Sequence, residues 1–112
     1  MSRASERAVT DVFFALGDGT RLSVVRRLSA AGALSATALS DGAKVTRQAI
    51  VKHLQVLEDA GLVSHSRQGR EVLYSLETRR LTIARDFIER VSERWSHAIE
   101  RLRVLVEDNP EE

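Results

Sequence analysis

No cysteine occurs among the 112 residues, so disulfide staples and thiolate metal sites are excluded, while the redox compartment is left open by that fact alone. There is one proline, and glycine is sparse outside evident turns, which points to a mainly helical fold. No apolar run approaches the length of a membrane span, and the opening MSRASERAVTD lacks the hydrophobic region of a secretory leader. The expectation is a cytoplasmic protein with no membrane partner. Nor is there an excess of one charge: a net +1 rules out a surface that is basic throughout. Glycine-rich phosphate loops and carboxylate pairs in a recognisable setting are missing, and His53, His65 and His97 are scattered along the chain. No enzymatic reading finds support, and no cofactor is expected.

What is present is helical periodicity. From about Glu6 to Leu16, Val9, Val12, Phe13 and Leu16 recur at three- and four-residue spacing, and Gly17 ends the run. Asp18 reads as the N-cap of a second helix, Thr20 to about Ala31, with Leu22, Val25 and Leu28 on one face and Gly32 as its stop. Ser35 caps a short third helix around Ala36 to Asp41, and Gly42-Ala43-Lys44 forms a turn. A fourth helix is predicted over about 46–59, with Ile50, Leu54 and Leu57 pointing inward. A hairpin follows over about 62–77, where Val72, Tyr74 and Leu76 alternate and Gln68-Gly69 makes the tight turn.

The stretch Val45 to Tyr74 is the most specific. A helix with a polar, basic leading face, then an Ala60-Gly61 stop, then a basic hairpin is the layout of a winged helix-turn-helix. Between Lys44 and Gln55 the charges are Lys44, Arg47 and Lys52, with no acid among them. The alternative is a face that is merely solvated, and the turn before it and the hairpin after it argue against that. Thr46, Arg47 and Gln48 lie where side chains reach base edges. Arg47 has the fork for a guanine and Gln48 for an adenine. Val51, Lys52, His53 and Gln55 lie further along the same helix, although His53 is close enough to the buried flank for a structural hydrogen bond instead. Arg67 and Arg70 flank the hairpin tip and suit phosphates or the minor groove.

The last helix, about 78–106, carries a nearly continuous apolar stripe: Leu81, Ala84, Phe87, Ile88, Val91, Trp95, Ile99, Leu102 and Val106. A domain of this size cannot absorb a stripe of that length. A homodimer joined through Phe87, Val91, Trp95, Ile99 and Leu102, with Phe13 and Phe14 of the first helix, is the simplest closed solution.

LGDGTRLSVVRRL, AIVKHLQVLEDAGLV and SRQGREVLYSL together resemble the arsenic-repressor (ArsR) family of winged helix-turn-helix transcription regulators, over nearly all of Val12 to Leu76. The ending ERWSHAIERLRVLVED is similar to a branch whose last helix carries a tryptophan and then a leucine-rich segment. The resemblance implies a mainly α fold of five helices plus a two-stranded wing, and the length of 112 residues is that of one domain over 1–112. The resemblance further implies dimerisation through the first and last helices and a homodimeric repressor of double-stranded operator DNA without a metal site. Two departures bear on transfer. Gly19 stands where the family usually has proline, and Val51 where a serine is common, so relatives' base preferences do not carry over.

Metal-responsive relatives use cysteines beside the third helix, where SATALSDG has none, or Asp, His and Glu ligands on the last helix. Asp86, His97 and Glu100 are the candidates for the second arrangement. Against it, Ala84 is a methyl where a further ligand is wanted, and Trp95 fills the neighbourhood. The alternatives to a metal-independent repressor are therefore a metal- or small-molecule-responsive sensor on the same scaffold, or a winged-helix protein-interaction module. The operator and any effector are not encoded legibly.

Overall fold

A computed structural model describes residues 2–108. Helices α1 (Arg3–Leu16) and α2 (Gly19–Ala31) lead through the short strand β1 (Ala33–Ser35) into α3 (Ala36–Asp41) and α4 (Arg47–Asp59). Strands β2 (Val63–Gln68) and β3 (Glu71–Leu76) form the wing, and α5 (Arg79–Asp108) closes the described chain. The architecture is the winged helix-turn-helix that the sequence implies, with two differences of extent. The first helix starts three residues before Glu6, because the Ser2 side chain accepts from the Ser5 N–H at 3.1 Å and caps it earlier. The two-stranded wing gains a third strand, in the antiparallel order β1-β3-β2 with Leu34 opposite Tyr74. Three residues are too few for alternation to reveal a strand; only pairing with β3 defines it.

The core is apolar. Val12, Leu28, Leu39, Ile50, Leu54, Leu57 and Leu62 are fully buried, and no polar or charged side chain is buried among the described residues. In α2 the inward positions are Val24 and Leu28, with Val25 partly buried, whereas Leu22 is exposed. That corrects the expected face. The inward row runs 21, 24, 25, 28, so Arg21 takes the first place and Leu22 turns outward.

Two glycines fix the geometry around α4 and the wing. Gly61 has φ +76, its N–H donates to Glu58 O and the Leu62 N–H donates to Leu57 O at 2.9 Å, a Schellman stop that turns the chain into β2. In the hairpin Gln68 pairs with Glu71, so the two loop residues are Gly69 and Arg70, one position later than the sequence suggests. Gly69 has φ +66 and no non-glycine residue has positive φ, the sign pattern of a type II′ turn.

Helix α5 gives little to this core. Ala84 is buried and Leu81 packs against the cluster, and the Phe87 ring meets Phe13 edge-on at 6.0 Å. Beyond that point Val91, Trp95, Ile99 and Leu102 are exposed in the single chain, Trp95 at 68%. The helix accounts for the elongated shape, 72 × 32 × 20 Å.

Candidate nucleic-acid interface

The interface begins with how the turn between α3 and α4 is held. Ser35 Oγ accepts from the Ala38 N–H and caps α3, and Thr46 Oγ1 accepts from the Ala49 N–H at 3.1 Å and caps α4. Thr46 is thus the residue before the helix, not its first turn, and its hydroxyl is already engaged. Arg27 of α2 reaches the other end of α3, donating to Leu39 O at 2.7 Å and Ala38 O at 3.0 Å. These carbonyls have no partner within so short a helix, and a guanidinium satisfies both while favouring the negative end of the dipole. The guanidinium fills the space beside Gly42, where a Cβ would lie 2.7 Å from it. A larger residue there would push the guanidinium aside rather than strain the backbone.

Helix α4 then buries Ile50, Leu54 and Leu57 and turns Arg47, Gln48, Lys52 and Gln55 outward. Arg47 Nε donates to Thr37 Oγ1 at 3.3 Å, which rests the side chain against α3. Gln55 donates to Asp59 Oδ1 at 2.8 Å, one turn further on. The Lys52 and Gln48 side chains make no hydrogen bond or ion pair among the described residues. Val51 is half-buried and packs against the core, at the edge of the outward face rather than on it. His53 lies further round still. Its Nδ1 faces Arg21 Nη1 at 3.2 Å, with Asp18 Oδ2 at 3.8 Å, so the structural contact considered for it is made.

Beside α4, the wing presents Arg67 and Arg70. Both are exposed, Arg67 Nε leaning on Gly69 O at 3.4 Å and Arg70 meeting no partner among the described residues. The wing is tied to α4 by His65 Nδ1 of β2, which meets Glu58 Oε1, while the His65 ring packs within the wing against Tyr74 of β3. Exposed forks and one ammonium group on a single helix, flanked by two guanidiniums on a hairpin, suit a polyanion with readable edges.

Asp18 is the titratable group whose environment matters most here. The Arg21 backbone N–H holds its carboxyl below the usual aspartate value; partial burial opposes this, and the charge of His53 when its ring is protonated and that of Arg21 add to it. On α5, Glu100 accepts from Arg103 at 2.6 Å and is likewise held low by that bond. Asp86 pairs with Arg85 at 3.4 Å. Asp86 and His97 are separated by about 16 Å of helix rise, so one subunit does not bring the three candidate ligands together. Among the described residues no group of three or more His, Cys, Asp or Glu side chains is placed to hold a metal ion. The contributions of Arg21 and Arg27 escaped the sequence reading. Each is one basic residue on an amphipathic helix, and only tertiary approach reveals the carbonyls it meets.

Comparison with known proteins agrees with this geometry. A helix-turn-helix domain family matches residues 16–65. The HTH-type transcriptional regulator YuzN of Bacillus subtilis (strain 168) is 45% identical over 65 residues, 53% of this chain and 71% of its own length. The HTH-type transcriptional regulator Rv2034 of Mycobacterium tuberculosis is 34% identical over 93 residues, 83% of each chain. An ArsR-like transcriptional regulator from Rhodococcus sp. RHA1 superposes with a TM-score of 0.81 at 31% identity, over 96% of this chain and 98% of that one.

Proposed function

The chain belongs to the ArsR family of winged helix-turn-helix transcriptional regulators, and on that premise we propose that two copies bind double-stranded operator DNA and repress transcription by occupying it. The reading rests above all on the outward face of α4, where Arg47, Gln48, Lys52 and Gln55 are exposed with no acid between residues 44 and 55. Arg47 and Gln48 read base edges near the N-terminus of the helix, Thr46 caps the helix that carries them, and Lys52, Gln55, Arg67 and Arg70 meet the backbone or the adjacent minor groove. Val51 offers a methyl contact at the edge, and His53 supports the helix from behind.

The second copy covers the stripe on α5 with Phe13 and Phe14 of α1. Along α5 beyond the core, Ile88, Val91, Trp95, Ala98 and Leu102 alternate at three and four residues, the spacing with which one helix seats against another. A two-fold pair places the recognition helices about 34 Å apart, one turn of B-DNA. The protein works in the cytoplasm, where its DNA is, without cofactor. Regulation without metal is supported by the pairing of Glu100 with Arg103. Stoichiometric zinc binding by calorimetry, lost in His97→Ala, would overturn that part.

The deciding experiment is fluorescence anisotropy on the DNA upstream of its own gene, over a range of salt. Arg47→Ala is expected to cost about 1–3 kcal/mol and to relax preference at one base pair. Arg70→Ala is expected to weaken all sequences alike and to lower the salt slope by about 1. Absent or salt-insensitive binding by the intact protein favours the interaction-module reading instead.

A further inference from the structure

Arg21 occupies the first inward position of α2, a place where the apolar row would continue. Its Nε donates to Ala15 O at 2.7 Å and Nη2 reaches Phe14 O at 3.5 Å. Both carbonyls belong to the last turn of α1, which carries no basic residue of its own. Phe14 O already accepts from the Gly17 N–H at 3.1 Å, so the cation mainly serves Ala15 O and meets the negative end of the helix dipole. The same guanidinium lies over the Phe14 ring, with Cζ 5.8 Å from the ring centroid. Its third edge, Nη1, faces His53 Nδ1 on the recognition helix at 3.2 Å. Guanidinium only donates, so Nδ1 accepts and the imidazole proton sits on Nε2. Asp18, at 3.8 Å from Nδ1, is too far for a hydrogen bond and stays on the Arg21 N–H.

One planar group therefore touches the end of α1, an exposed aromatic ring and the recognition helix. Phe14 is 70% exposed in the single chain, so whatever covers it bears on the ring against which the guanidinium rests. We propose that Arg21 is a positioning residue that couples the dimer face of α1 to the recognition helix. A second copy seated on Phe14 fixes the guanidinium, and the guanidinium fixes His53 and with it the set of α4. The proposal rests on the dimer reading above, with the second copy as occupant. Fixing the plane of Phe14 narrows the positions open to a side chain that already has two carbonyl acceptors. The remaining edge is then held towards His53. Pairing of subunits and affinity for DNA become linked through this contact as well as through having two readers.

The test uses the full chain. Sedimentation establishes the monomer–dimer equilibrium, and nitrogen NMR of His53 is followed as the wild-type protein is diluted through it. The expected result is that the His53 nitrogen signals differ between monomer and dimer, and that the difference disappears in Arg21→Met and is partly kept in Arg21→Lys. Anisotropy is expected to show DNA affinity falling about ten-fold in Arg21→Met, within the range of ordinary coupling energies, with no further loss when His53→Ala is added. Identical His53 signals in wild-type monomer and dimer, or additive losses in the double variant, overturn the coupling while leaving the dimer intact. Sedimentation as a monomer at every concentration removes the dimer reading itself, and this proposal with it. The wild-type dilution series decides the matter even if Arg21→Met folds poorly.

Discussion

Two adjacent residues decide how α2 begins. Gly19 is its first helical position, where a fixed φ helps and a missing N–H costs nothing. The residue before it, Asp18, is extended at φ −140 and ψ 134, the conformation a following proline demands, and no atom lies within 4 Å of a Cβ built on Gly19. Gly19→Pro is therefore expected to stabilise the fold by about 0.4–1 kcal/mol, acting mainly through the unfolded chain, as a higher urea midpoint with unchanged slope. Asp18 itself is a pH-dependent cap. Its carboxyl is held below the ordinary value in the folded state by the Arg21 N–H, so its contribution is present above that ordinary value and is lost as pH falls through the folded one. Thermal unfolding followed below about pH 4 is expected to show a flatter acid limb for Asp18→Asn, which caps without titrating. Asp18→Ala is expected to be less stable than Asp18→Asn at every pH.

The wing shows what one turn residue does for an element. Gly69 takes φ +66 in a two-residue loop, and the loop sets the register that places Arg67 opposite Val72 and Arg70 at the tip. Space is not the obstacle there, since nothing lies within 4 Å of an added Cβ; the backbone angle is. Gly69→Ala is expected to cost about 1–2 kcal/mol, read as a lowered urea midpoint. A weaker salt dependence of DNA binding should accompany it as the two arginines lose their placement. Sequence alternation in β3 foretold the hairpin, but the shift of the loop by one residue and the added strand β1 are matters of pairing. Nothing in Ala33-Leu34-Ser35 alone distinguishes a strand from a connector.

Across the whole molecule the imbalance lies between a small, closed core and a helix about 45 Å long. Past Ala84 the apolar positions of α5 find little in their own chain to cover them, and Val91, Trp95 and Leu102 are each at least half exposed. Trp95→Glu is expected to leave the helical signal intact, because the side chain is not part of the core, and to shift sedimentation towards monomer. DNA affinity should fall at least ten-fold with it, since two linked readers bind more tightly than one. Unchanged sedimentation would place the subunit contact elsewhere. Dimer stability should also make the unfolding temperature rise with protein concentration in the parent and not in the variant.

Much of this protein was legible in one dimension. Helical spacing, caps at Asp18 and Ser35, the glycine stop at Gly61 and the polarity of residues 44–55 specify the helix order, the basic outward face of α4 and the wing, because each signal is local in sequence. The inward placement of Ile50, Leu54 and Leu57 follows from the same arithmetic. What only the tertiary structure decided is which polar groups meet across elements: Arg21 at the end of α1 and beside His53, Arg27 at the end of α3, and Leu22 turned outward in consequence. A guanidinium is directed by acceptors many residues away, and periodicity records only the side of a helix, never the carbonyl waiting beyond it.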